Sequence, residues 1–220
     1  MKLTQRTATG AASLGGAGLA GAARAIAAVR PAAKPLHPKG DLVGGELVRS
    51  GTERGAATGV PWLDEAGRDQ VMVRLSRAMG LPQVLPDIHG LAMRVPLGCD
   101  RHGDLLFATT GTGRWTRFLL APGWKVQRPM TTLLPYRTPA GPVLLAIRAV
   151  AEDRYELALA VGRGEWSRFG ELALSGATGP DPTISFDPVR NPLPGLEIYE
   201  WVARLREPAY LTARRTRPGR

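Results

Sequence analysis

Hydrophobic and polar residues alternate in short runs along most of this chain. Residues 45–51, GELVRSG, alternate; in QVMVRLSRA at 70–78, Val71, Val73 and Leu75 share one face; in GLAMRVP at 90–96, Leu91, Met93 and Val95 do the same. GDLLFATT at 103–110 is a short apolar run, followed by GPVLLAIRAV at 141–150, RYELALAV at 154–161, GELALS at 170–175 and PTISFDP at 182–188. A period of two in short runs, punctuated by Gly, Pro and charged turns, predicts strands in an antiparallel sheet or barrel. Two stretches predict helix: one near 114–120, and one over about 197–216, with Leu196, Trp201 and Leu205 near one face. Pro208 bends or restarts the second. There is no internal repeat.

The N-terminal 33 residues read differently. Residues 7–23, TATGAASLGGAGLAGAA, are uncharged and follow Lys2 and Arg6. A secretory signal has this layout, but its apolar stretch is more strongly hydrophobic than one holding only Leu14 and Leu19. The favoured reading is a loose Ala/Gly-rich segment, 1–33, leading through a short Ala-rich helix near 19–29, and a cytoplasmic protein. RPAAKPLHPKG then has three prolines and reads as extended loop. A single domain over 34–220 follows.

Charge and composition narrow the function. The net charge is +10, carried at the ends: residues 1–40 hold six Lys or Arg and no acid, and residues 201–220 hold six Arg and one Glu, leaving 17 basic and 18 acidic residues between. A nucleic-acid domain more often spreads its cations over a folded face, so no specific nucleic-acid partner is expected. One cysteine, Cys99, permits no internal disulfide. No run reaches the length of an apolar membrane helix, so membrane association has no support in hydropathy. The three histidines, His37, His89 and His102, show no local metal-ligand spacing, and there is no Walker loop, dinucleotide glycine fingerprint or nucleophile elbow.

The C-terminal stretch REPAYLTARRTR carries chemistry. Arg206, Tyr210 and Arg214 are four apart and Arg217 three further on, so a helix would present them on one face. One reading is a solvated or partner-binding basic tail. The other is a tyrosine whose phenol is driven toward phenolate by guanidinium groups, a hard anionic ligand able to hold ferric haem.

Several segments, in order, resemble the haem catalases. HPKG at 37–40 resembles their His-Ala-Lys-Gly, and VMVRLSRAMG at 71–80 their following strand with Val-Arg-Phe-Ser. PDIHGLAMRV at 86–95 resembles Asp-x-Arg-Gly-Phe-Ala-Val-Lys, and GDLLFATTGT at 103–112 resembles Trp-Asp-Leu-Val-Gly-Asn-Asn-Thr. ISFDPVRNPLPGLE at 184–197 resembles the Phe-Asp-Pro…Pro-Gly-Ile-Glu run before the proximal helix, and REPAY matches Arg-x-x-x-Tyr. The resemblance implies a β-rich (α+β) fold: a catalase-like antiparallel barrel of about eight strands, a number at which such barrels commonly close, with a C-terminal haem-ligand helix.

It also implies roles. Tyr210 is the expected axial ligand of haem b, with Arg206 holding it as phenolate; Arg74 and Arg217 are expected partners of the haem propionates, with Lys34 as a third. Arg214 stands where catalases carry histidine. His37 is the expected distal base and Ser76 the hydroxyl that orients it. The chemistry expected is a peroxide-using oxidoreductase: peroxidase oxidation of a small organic reductant, or turnover of an organic hydroperoxide, with weak hydrogen peroxide disproportionation and a place in oxidative-stress defence. The alternative is a non-catalytic haem-binding protein, or a degenerate barrel with a basic tail that binds a partner. A homo-oligomer stays open. The departures are Ala108 at the distal asparagine, where Thr109 or Thr110 could offer a hydroxyl instead, His89 at an arginine, and only 173 positions from His37 to Tyr210, far fewer than in full-length catalases.

Overall fold

A computed structural model describes residues 40–52, 57–80, 82, 84–124, 128–180 and 184–203. Among the described residues ten strands run in chain order: β1 (Gly40–Ser50), β2 (Ala66–Arg77), β3 (His89–Gly98), β4 (Arg101–Thr109), β5 (Met130–Thr131), β6 (Tyr136–Thr138), β7 (Gly141–Ala149), β8 (Arg154–Val161), β9 (Ser167–Pro180) and β10 (Glu197–Ile198). One helical turn, α1 (Pro61–Asp64), joins β1 to β2, and a single 3-10 turn covers Thr116–Phe118. Neighbouring strands pair antiparallel in the order β5-β4-β3-β2-β1-β9-β8, and β7 pairs with both β8 and β5, which closes an eight-stranded barrel. Closure removes the free edges that an open sheet of these strands would expose.

The alternation seen in the sequence is the alternation of the barrel wall. Val71 and Val73 of β2 and Leu91, Met93 and Val95 of β3 are all in the buried cluster that fills the interior, with Leu75 packed against it. The same holds for Leu105 and Phe107 of β4 and Val143, Leu145 and Ile147 of β7. Tight turns keep the meander compact. Between β3 and β4 both Cys99 and Asp100 have positive φ, the conformation that suits a two-residue hairpin to the strand twist.

The wall is interrupted at one place. β5 and β6 both lie along β7, but Leu133 between them has φ 62°, and β4 pairs only with β5 at its last two residues. Residues 184–198 bridge the resulting split. The Asp104 amide of β4 donates to the Asn191 carbonyl at 2.8 Å, and β10 pairs with β6 through Glu197 and Ile198.

This bridge is anchored by one carboxylate. Asp104 has no solvent exposure, and its oxygens accept from Arg94 Nε at 2.8 Å, Arg94 Nη2 at 3.0 Å, the Asp187 amide at 2.8 Å and Asn191 Nδ2 at 3.0 Å. Arg94 also donates to the Ser185 carbonyl and lies 4.9 Å from the centre of the Phe186 ring. Close packing continues beyond it: a Cβ added at Gly103 would come within 2.6 Å of Leu193.

Three expectations are corrected. PTISFDP is not a strand in its described part, 184–188, because its polar groups are taken by Asp104 and Arg94 and not by a neighbouring strand. The 114–120 segment holds one 3-10 turn and no longer helix, as Gly111 and Gly113 precede it and its amides bond back over a single turn. At the C-terminal end Glu197 and Ile198 pair as strand, so helix begins at Glu200; the expected helix beyond residue 203 lies outside the described residues.

Two predictions follow from the anchoring carboxylates. Asp104→Asn leaves Arg94 without its anionic partner in a buried setting, so the urea midpoint should fall by the equivalent of about 3 kcal/mol. Asp64 makes the turn after β1: it accepts from the Thr58 amide and hydroxyl, the Gly59 amide and the Thr52 hydroxyl. Burial pushes its carboxyl up, but these hydrogen bonds outweigh that and hold it below the usual aspartate value. A lowered folded value adds stability above the unfolded value, and that stability is lost as pH falls through the folded value. Asp64→Asn should therefore lower the denaturation midpoint at neutral pH, with the gap to wild type closing as pH falls below about 4.

Candidate functional site on the outer face of β1 to β4

Strand parity places Arg74, Ser76 and Ala108 on one surface. In β2, Val71 and Val73 point inward, so Arg74 and Ser76 point out. The registers Gly40↔Ser76, Ser76↔Gly90, Gly90↔Ala108 and Ala108↔Thr131 then form one continuous outward row across β1 to β5. The next row, Leu42, Arg74, Ala92 and Leu106, lies beside it, and the one after holds Met72, Arg94 and Asp104. Ser76 and Ala108, 32 positions apart in sequence, are thus two strands apart in space with Gly90 between them. The Asp104 anchor sits about 13 Å further along the same face, four residues down the strand.

Small residues stand among larger ones on this surface. Gly40, Gly90, Ala92 and Ala108 carry at most a methyl group. Arg74 is 6% exposed although it lies outside the barrel, and Leu42 beside it is equally buried, while Gly40, Ser76, Ala92, Leu106 and Ala108 around them are half-buried. The Arg74 guanidinium passes directly over Gly40: a Cβ there would be 2.7 Å from Arg74 Cζ and 2.8 Å from the Leu75 carbonyl. Ser76 Oγ donates to the Gly90 carbonyl at 3.4 Å.

Of the two threonines after Ala108, Thr109 is placed elsewhere, while Thr110 keeps the outward parity and its hydroxyl donates to Thr131 Oγ1 at 3.2 Å. Thr109 is on the inward face, fully buried, and its hydroxyl oxygen accepts from the His89 amide at 3.2 Å. Thr110 Oγ1 lies 3.0 Å from the Gly111 carbonyl. Thr131 is the residue that sequence reasoning missed: it neighbours Ala108 in the row, but its hydroxyl donates to the Arg117 carbonyl at 2.8 Å. Only pairing with β5 reveals it, since MTT in a Pro-flanked stretch has no strand signal of its own. The idea that Thr109 stands in for the family's distal amide is therefore corrected by strand parity. His89 is not on this face either; it is buried, and its Nε2–H donates to the Gly123 carbonyl at 3.0 Å.

Lys34, His37, Arg206, Tyr210, Arg214 and Arg217 lie outside the described residues. Among the described residues there is no group of three or more His, Cys, Asp or Glu side chains that could hold a metal ion. A second, shallow groove lies elsewhere, lined by Arg49, Trp62, Glu65, Leu97 and Pro194. Arg49 forms one side of it, bonded to Asp69 at 2.8 Å and lying 5.3 Å from the Trp62 ring centre. No helix among the described residues is long and apolar enough to cross a membrane.

Gly40→Ala tests how tightly the surface is built. Because the blocking atoms include the backbone carbonyl of Leu75, the strand pair has to shift, and the variant should lose about 1–3 kcal/mol in denaturation. A scan against protein-family models finds no match to this chain, and a search of curated proteins finds no relative.

Proposed function

We propose that this chain is a minimal catalase-like haem protein that uses peroxides, and that the outer face of β1 to β4 is the floor of its haem site. The observation that carries the reading is the row Gly40–Ser76–Gly90–Ala108 with Arg74 beside it. Family resemblance assigns Ser76 and Ala108 to one distal surface, and strand register supports that assignment independently of the motif match. The residues present fit such a group. A flat macrocycle needs a face without bulky side chains, and a carboxylate-bearing one needs a buried cation; the small residues and Arg74 supply both.

When bound, haem b would supply the iron centre at which a peroxide oxygen is activated. The chain's own residues divide the remaining work. Arg74 pairs with a propionate, with Arg217 and Lys34 as its companions. Tyr210 holds the iron through its phenolate, which the Arg206 guanidinium stabilises against protonation. His37 accepts the first proton of the peroxide as general base, and Ser76 orients its ring. Ala108 has no hydrogen-bond donor where catalases have an amide. A donor of that kind lowers a barrier by about 3 kcal/mol, on the order of a hundredfold in rate. The function we infer is therefore peroxidase chemistry, or turnover of an organic hydroperoxide in the space the missing amide leaves. The same Ala108 supports a second reading, haem carriage without turnover.

The first test is the visible spectrum of the purified protein loaded with haem b. A Soret band with a tyrosinate–ferric charge-transfer pattern is expected, lost in Tyr210→Phe; full haem occupancy with an unchanged spectrum in that variant overturns the ligand assignment. An oxygen electrode beside a dye-peroxidation assay then separates the two readings. Wild type should oxidise the dye with slow oxygen release, Ala108→Asn should shift toward oxygen release, and His37→Ala should abolish both. Haem binding with neither activity selects the carrier.

A further inference from the structure

Two connections meet at one end of the barrel: the β2–β3 loop around residues 79–87 and the β4–β5 loop over 110–129. Their described residues are tied to one another by hydrogen bonds. Asp87 and Gly123 exchange both backbone hydrogen bonds, at 3.0 and 2.9 Å, and Trp124 Nε1–H donates to the Val84 carbonyl at 3.2 Å. The Ala121 amide donates to Thr109, Arg77 to the Leu85 carbonyl and Arg128 to the Pro122 carbonyl. Asp87 and His89 brace the unit from beneath, both buried.

Despite this bracing, the tips are apolar and open to water. Val84 is 80% exposed, Trp124 66%, Leu119 62%, and Leu85 and Leu120 46% each. Apolar side chains clustered on a fixed platform mark an interaction surface more than scattered ones do. The electrostatics are one-sided. Residues 78–86 carry no charge, and residues 110–130 carry Arg114, Lys125 and Arg128 with no acid, besides Arg117, which is buried and held by the Gly113 and Gly164 carbonyls. Asp87, the carboxylate nearest in sequence, is buried and 3.6 Å from Arg77 Nε.

We infer that this platform docks on an anionic lipid bilayer, with Val84, Leu85, Leu119, Leu120 and Trp124 entering the headgroup region and the exposed Arg114 and Arg128 meeting lipid phosphates. Tryptophan and leucine at the tips with cations behind them is the arrangement that interfacial binding favours. A second copy of the chain is the weaker occupant. A two-fold contact through this patch would set its cations against themselves, on a chain already at +10. This inference stands apart from the haem proposal, because neither needs the other.

The test is co-sedimentation of the full chain with vesicles of phosphatidylcholine alone, and of phosphatidylcholine mixed with phosphatidylglycerol. Binding should require the anionic lipid and fade with salt. Brominated lipid should quench tryptophan emission, and Trp124→Phe should remove most of that quenching. Val84→Asp combined with Leu119→Asp changes only exposed tips and should weaken binding about tenfold or more, with the far-UV spectrum unchanged. If that double variant binds as wild type does, the vesicle contact belongs to the basic termini and the inference fails. It fails equally if the chain forms a concentration-dependent dimer that the same variant abolishes.

Discussion

The arrangement depends on a carboxylate buried on the outside of the barrel. Asp104 presents two oxygens, and four N–H groups from three residues converge on them. Taking such a charge out of water is costly unless its hydrogen bonds are satisfied, and here they are satisfied by groups from β3 and from the chain 83 and 87 positions later. That requirement brings residues 184–191 to the wall and places the Asn191 carbonyl on the β4 edge. It also delivers Leu193 and Leu196 to the core and leads the chain to β10. Without it the split between β4 and β6 would have no filling.

The barrel strands were legible because interior packing imposes the period of two directly. Val71, Val73 and Leu75, or Leu91, Met93 and Val95, share a face in the sequence for the same reason they share the core. The row holding Ser76 and Ala108 was half legible: parity follows from the pattern, but register does not. The failures have common causes. PTISFDP has strand composition, yet its hydrogen bonds are captured by side chains. β5, β6 and β10 are two or three residues long and interrupted by Pro or by the positive φ of Leu133, so no local window carries their signal. Asp104 itself reads as one polar residue of a half-solvated strand, and its burial arises only from segments far away. Arg74 stands out by resemblance but its burial does not, since an outward arginine on a strand is ordinarily solvated.

Inside and outside of the same four strands are therefore built on opposite rules. The interior is filled with Leu, Val, Met and Phe. The exterior carries only small side chains along the row Gly40–Ser76–Gly90–Ala108, and is crowded again at Arg94 and Asp104. Thr109 illustrates how sharply the two sides are separated: one position from Ala108, it belongs wholly to the interior. Alanine at 108 is thus a property of the outer surface, not of barrel packing.

The split wall also has a consequence in time. The β4 edge around Asp104 receives its partner only when Asn191, 87 positions later, has been made. At typical synthesis rates that leaves roughly 4 to 17 s in which the edge is unpaired. Exposed strand edges recruit other strands, so the nascent chain carries an aggregation-prone seam until the FDPVRN segment arrives to seal it. A truncation ending before residue 184 would keep every strand of the barrel, yet hold that seam open for its whole lifetime.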